Sequence, residues 1–323
     1  MPNMDFLRNS AEPWVVYRTL ADLDDLKEDD PAVMKARSDM IAHPLVRKLT
    51  DELKQWPGTV ISSHKSAGQL YHKLEFAADL GLTGYDDGMP DIIPKVMAFP
   101  SEEGLLRLKV NIPEHFGGTG ADECAWALCD APLLSYSLAK VGMSDHHDVR
   151  IGVRYLAGLA RKNGWPCVVS KELGKFRGPG KKDDPCPYAS LIILKLMALY
   201  DEYRESDEAA AGAMTLLDLW EQSRERHPYM FFMGTDFRKL KAPFIWYDIL
   251  HFAEVLSQYK IARHDARFAE ILGIINAKAD QDGLFTPESV WTAWSDWDFG
   301  QKKSPSPWLT FLVYRINKRM ERI

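Results

Sequence analysis

The sequence predicts an all-α protein of paired helices, on three observations: a repeat of about 58 residues, two alternating kinds of apolar segment, and prolines set where helices begin. Short breaks open new apolar stretches at Pro31, Pro90, Asp148, Asp207 and Asp265, in steps of 59, 58, 59 and 58 residues. The Gly/aromatic tails at Gly104, Gly164 and Gly283 keep the same beat, with spacings of 60 and 119, and HPYMFF near His227 fills the skipped place. Two markers in phase mean a supersecondary unit copied along the chain.

Each unit reads as two helices. Six inner segments, with starts near residues 13, 66, 122, 187, 243 and 307, are apolar on nearly all sides, as in PYASLIILKLMALYDEY and PFIWYDILHFAEVLSQY, and so are expected to be buried. Pro followed by an aromatic opens four of them, at Pro13, Pro187, Pro243 and Pro307, where a missing N–H costs least. Five outer segments, such as VRIGVRYLAGLARK and ARFAEILGIINAKA, carry a narrower apolar stripe suited to one wet face. The chain stops after an inner helix, and an unmatched last helix favours a closed ring over an open solenoid.

Composition fits one compact body spanning residues 1–323, of which 1–12 form an N-terminal extension. Hydrophobic residues at 46%, with 10 Trp, suffice for a large core. No uncharged apolar run reaches the roughly 18 residues that a membrane span needs, and MPNMDFLRNSAEPW lacks the regions of a signal peptide, so no transmembrane segment and a cytoplasmic location are expected. A net charge of −6 argues against nucleic-acid binding. Cys124, Cys129, Cys167 and Cys186 match neither a disulfide framework nor C-x-x-C zinc spacing, and reduced thiols are expected.

The tails, the period and the segments GKFRGPGKKDDPCPYA, MGTDFRKLKAPFIWYDILH and DGLFTPESVWTAWSDWDFGQKKSPSPWLTFLVYR resemble the prenyltransferase and squalene-cyclase repeat superfamily, in its small single-domain bacterial form. The likeness covers nearly the whole chain. It implies an α/α toroid whose inner helices surround an apolar cavity, used in that superfamily to hold isoprenoid chains for cyclisation or for transfer to a thiol.

Two catalytic signatures of that superfamily can be tested against the residues. The Asp-x-Asp-Asp of cyclases has its letters at Asp22, Leu23, Asp24 and Asp25, but these fall near the C-terminal end of the first inner helix, where a solvated helix exit is the simpler expectation. A zinc set of the prenyltransferase kind has candidates in Asp122, Cys124, Cys129, Asp130, Cys186 and His251. Buried Cys more often acts as a small hydrophobe, so no metal or other cofactor is expected.

Loops leading into inner helices are basic, with His64 and Lys65, then Lys175, Arg177, Lys181 and Lys182, then Arg238, Lys239 and Lys241, then Lys302 and Lys303. In a closed ring they gather at one mouth with the positive ends of helix dipoles, a place for a diphosphate, phosphate or carboxylate head group. Asp183, Asp184, Asp236, Asp296 and Asp298 lie in the same loops, so local ion pairing is the competing expectation. Trp126, Tyr188, Trp246, Tyr247 and Trp308 are candidates to line the cavity, against core packing as the default. For proton chemistry, Asp248 and His251, three apart on one helix, are the first candidates and Asp130 the next, since an acid embedded in apolar sequence holds its proton more readily. Each could equally hydrogen-bond a neighbouring loop.

Three functions follow. The leading one is an isoprenoid-handling enzyme resembling terpenoid cyclases or prenyltransferases, its partner a hydrophobic small molecule such as a prenyl diphosphate. A non-catalytic binding module for a lipid-like ligand or a partner peptide is the alternative, and an α/α-barrel glycosidase with paired carboxylates is the third.

Overall fold

The computed structural model describes residues 3–176, 178 and 180–321. They are helix-rich: fifteen α-helices and one two-stranded sheet. The chain divides into two compact units, Met1–Asp51 with Gly234–Ile323, and Glu52–Met233.

In the 52–233 unit, helices Leu70–Leu80, Ala131–Leu138 and Pro187–Met197 pack side by side. Every residue of the last two is buried, and only Lys73 escapes burial in the first. Leu191, Ile192, Ile193, Leu194 and Leu196 are wholly buried; each such side chain contributes about 1.5–3 kcal/mol. Helix His147–Gly158 buries only Val149, Gly152, Val153, Leu156 and Ala157, the three-and-four spacing of an amphipathic helix. In the other unit, Ile249–Leu256 is buried throughout and packs on Ala266–Asn276, which buries only Phe268, Ile271, Leu272 and Ile275. The two kinds of segment are thus two kinds of helix.

Three helix starts match the sequence reading: Pro13, Pro187 and Pro307 stand at the first position of Pro13–Arg18, Pro187–Met197 and Pro307–Glu321. The segment from 122 differs. Asp122–Ala125 is β2, paired antiparallel with β1 at Leu108–Asn111, with Leu108 opposite Ala125, and the helix waits until Ala131. The segment from 243 also starts late, at Ile249, because Asp248 supplies the cap that Pro243 lacks.

The Gly/aromatic tails have a shared backbone reason. Gly104, Gly164 and Gly283 all take left-handed φ, of 76°, 83° and 78°. Beyond two of them the hydrogen bonds match. Trp165 N–H donates to Ser190 Oγ at 3.1 Å, and Cys186 N–H to Trp165 O at 2.6 Å. Likewise Phe285 N–H donates to Thr310 Oγ1 at 3.0 Å, and Ser306 N–H to Phe285 O at 2.9 Å. Both donor-to-hydroxyl separations are 25 residues. Each tail thereby anchors the start of the helix that follows it.

A buried cation comes nine residues after each of those anchors, at Lys195 (195 − 186) and Arg315 (315 − 306). Lys195 Nζ meets Glu75 at 2.6 Å and Asp79 at 3.1 Å. Burial opposes its charge, yet the two carboxylates outweigh that and raise its pKa. Arg315 meets Glu254 at 2.9 Å and Asp22 at 3.3 Å.

Candidate functional site

Asp130 is wholly buried. It precedes helix Ala131–Leu138, and both its oxygens are engaged: Oδ1 accepts the Ala127 N–H at 3.1 Å, and Oδ2 lies 2.7 Å from His64 Nε2. The His64 side chain keeps 16% exposure, so its ring reaches solvent while its partner does not. The main chain beneath that ring is fixed too, because His64 O accepts from Tyr71 Oη at 2.9 Å and bonds His72 Nε2 at 3.0 Å. With Nε2 given to the carboxylate, Nδ1 is the nitrogen left for a ligand, the arrangement in which a carboxylate sets the tautomer and aim of an imidazole base. Burial pushes the Tyr71 hydroxyl well above its usual pKa, and the charge of Asp130 adds to it.

Asp248 is built differently. It caps Ile249–Leu256 through Oδ1, which accepts the Leu250 and His251 N–H groups at 3.1 and 3.0 Å. Its Oδ2 is buried without a hydrogen bond. Burial lifts its pKa to about 7, against the pull of Lys241 and the two N–H donors, so the cap holds a proton near neutrality. His251, also fully buried, stacks on Phe244 at 4.8 Å and bonds Trp246 O through Nδ1 at 3.1 Å. The described link from Asp248 to His251 runs through the main chain of His251 rather than its ring. No surface of either side chain faces solvent.

The remaining candidates are placed as follows. Asp22, Asp24 and Asp25 lie at a helix exit that is ion-paired, bound to Arg18 at 2.7 Å, Arg8 at 2.6 Å and Lys318 at 2.6 Å, and that runs into exposed chain from Asp25 onward. Among the basic residues, Lys175 and Lys181 are exposed in the 52–233 unit, whereas Arg238, Lys239, Lys241, Lys302 and Lys303 belong to the other; Arg177 lies outside the described residues. Lys239 and Lys241 sit 3.4 and 3.7 Å from Asp236, and Lys241 also lies over the Trp291 ring at 4.9 Å. Of the aromatics, Trp126, Tyr188, Tyr247 and Trp308 are buried against other rings: Tyr155, Phe231, Phe237 and Phe311 respectively. Trp246 is half-buried. Among the described residues no three His, Cys, Asp or Glu groups come together to hold a metal ion, so the zinc candidates do not form one site. Nor is any helix long and apolar enough to cross a membrane.

Sequence reading found Asp130 but not its partner. His64 stands 66 residues away in a loop counted only for its charge, and no local pattern joins the two.

No family model and no curated protein matches the chain. Among solved structures it is similar to one titled as a crystal structure of a protein from Actinoplanes, at 12% identity and a TM-score of 0.43, covering 96% of this chain and 90% of that one. A likeness at that level carries no argument about function.

Proposed function

We propose that the protein is an isoprenoid-handling enzyme of α/α-toroid type, in which His64 moves a proton and Asp130 positions it. The observation that carries the chemistry is the 2.7 Å contact between a partly exposed imidazole and a fully buried carboxylate. Such a pair delivers proton transfer at a fixed point next to solvent, and positioned acid–base groups are worth about a hundredfold to ten-thousandfold in rate. The alternation of wholly buried and one-faced helices and the matching tail anchors support the repeat architecture. The substrate class rests on the resemblance of the tail and loop segments to the cyclase and prenyltransferase repeats.

The test is turnover of prenyl diphosphates and of their hydrocarbon and alcohol derivatives, with products followed by mass spectrometry. Activity that vanishes in His64→Asn, falls with an altered pH profile in Asp130→Asn and survives in Asp248→Asn supports the assignment. Absence of turnover for every isoprenoid, or turnover indifferent to His64, overturns it.

A further inference from the structure

A second imidazole, wholly buried, holds the main chain of His64. It belongs to His72, on helix Leu70–Leu80, with Glu75 three residues further along. His72 Nε2 lies 3.0 Å from His64 O, and because a carbonyl oxygen only accepts, Nε2 carries a hydrogen. The other ring nitrogen, Nδ1, faces Glu75 Oε2 at 3.8 Å. Both of those atoms are buried, and neither has a hydrogen-bond partner among the described residues.

If Nε2 held the only ring hydrogen, Nδ1 would turn a lone pair toward a carboxylate oxygen in the interior, where screening is weak. A proton between them removes that clash, either on the imidazole or on the acid. Lys195 decides between the two: its Nζ stands 2.6 Å from Glu75 Oε1 and 3.1 Å from Asp79, and an ammonium so close keeps Glu75 ionised. The proton therefore belongs to His72. As the third residue of its helix His72 meets the positive end of the dipole, but that is about half a charge against the whole charge of a carboxylate 3.8 Å away. Other neighbours add no charge. Burial foremost, with Glu75 and Asp130 contributing, pushes the Tyr71 and Tyr188 hydroxyls well above their usual pKa, burial does the same to the Cys129 thiol, and Tyr136 Oη donates to Asp79.

We propose that His72 is a buried imidazolium held by Glu75, and that it is a positioning residue for His64. One ring hydrogen points at the Glu75 carboxylate and the other at His64 O, so the loop bearing the solvent-reaching imidazole is tied to the Glu75–Lys195 ion pair. Asp130 aims the His64 ring, and His72 fixes the main chain behind it. Removing the Nδ1 proton sets a lone pair against Glu75 Oε2, turns the ring and loosens its hold on His64 O. The positioning half of this inference rests on the role given to His64; the charge on His72 does not.

The experiment records long-range proton–nitrogen spectra of the histidine rings in full-length, nitrogen-labelled protein at neutral pH, with His64→Gln and His72→Leu to assign the two rings. Both nitrogens of His72 are expected to carry hydrogen. Glu75→Gln keeps the shape and an oxygen for Lys195 while offering an N–H to Nδ1; it is expected to leave His72 with the Nε2 hydrogen alone and to shift the His64 ring resonances. A bare Nδ1 in the unsubstituted protein overturns the imidazolium. Two ring hydrogens persisting in Glu75→Gln overturn the part given to Glu75. His64 resonances that stay put in Glu75→Gln, or in His72→Leu should Glu75→Gln fail to fold, overturn the positioning. No readout here needs turnover, so failure of the isoprenoid assay and failure of this inference are told apart.

Discussion

Asp130 and Asp248 hold the same place in their two units, just ahead of a buried helix, and both are wholly inaccessible, yet they end in different chemistry. Asp130 has a partner for each oxygen, one of them an imidazole that reaches solvent. Asp248 spends one oxygen on its helix and leaves the other unbonded, and burial lifts its pKa to about 7. A matching place ahead of a buried helix therefore does not bring the same bonding. What decides is whether a second loop brings a side chain to the free oxygen.

The largest effects are expected where the units differ in their buried cations. Lys195→Met leaves Glu75 and Asp79, with side chains 2% and 10% exposed, without their cation in the interior. Stranding buried charge costs about 3–5 kcal/mol. Arg315→Met is expected to cost less, about 1–2 kcal/mol, because Glu254 keeps Arg319 at 3.0 Å and Asp22 keeps Arg18 at 2.7 Å. Urea denaturation followed by circular dichroism measures both; equal losses would erase the distinction.

Next in size is pH. Asp248 is raised from 3.8 to about 7 in the folded state, and Glu12, half-buried near Asp298, is raised to about 7 as well. The folded form holds protons that the unfolded form releases, so the stabilisation is complete below about pH 4 and lost as pH climbs through 7. For Asp248 the shift corresponds to an upper figure of about 4 kcal/mol. Asp248→Asn, which keeps the capping oxygen and cannot ionise, is expected to flatten much of that slope. Denaturation midpoints between pH 5 and 8 give the comparison, and an unchanged slope in Asp248→Asn would contradict the neutral-cap assignment.

These contrasts also mark what the sequence conveys. Helix kind was legible, since burial all round and burial on one stripe leave different residue patterns, as in Pro187–Met197 against Ala266–Asn276. Three of the four proline-led starts were legible for the same local reason, and the one at Pro243 was not, since its helix waits for the cap at Asp248. Strand β2 was not, because DECA is a short, largely polar stretch whose pairing partner LKVN lies across a loop, and four residues are too few to show a strand period. Asp130 was legible as an acid in apolar sequence. The His64 contact was not, for it joins a loop to a helix start through tertiary packing alone. Lys195 and Arg315 were likewise silent, since a single cation inside a buried helix acquires meaning only from carboxylates on other helices.

The smallest effect tests the likeness between units rather than their difference. Ser190 and Thr310 each accept one main-chain N–H from a tail aromatic 25 residues earlier, and both are wholly buried. Ser190→Ala and Thr310→Val remove the acceptor and leave a buried N–H unpaired, a loss of about 1–3 kcal/mol. Val matches Thr in shape, and the Ala change removes only the hydroxyl, so packing contributes little to either value. If the two tails anchor their helices in the same way, the losses should agree within about 0.5 kcal/mol, and the double variant should lose their sum, as independent sites do. A loss at one position with none at the other would show that the shared spacing is a coincidence of sequence and not a common device.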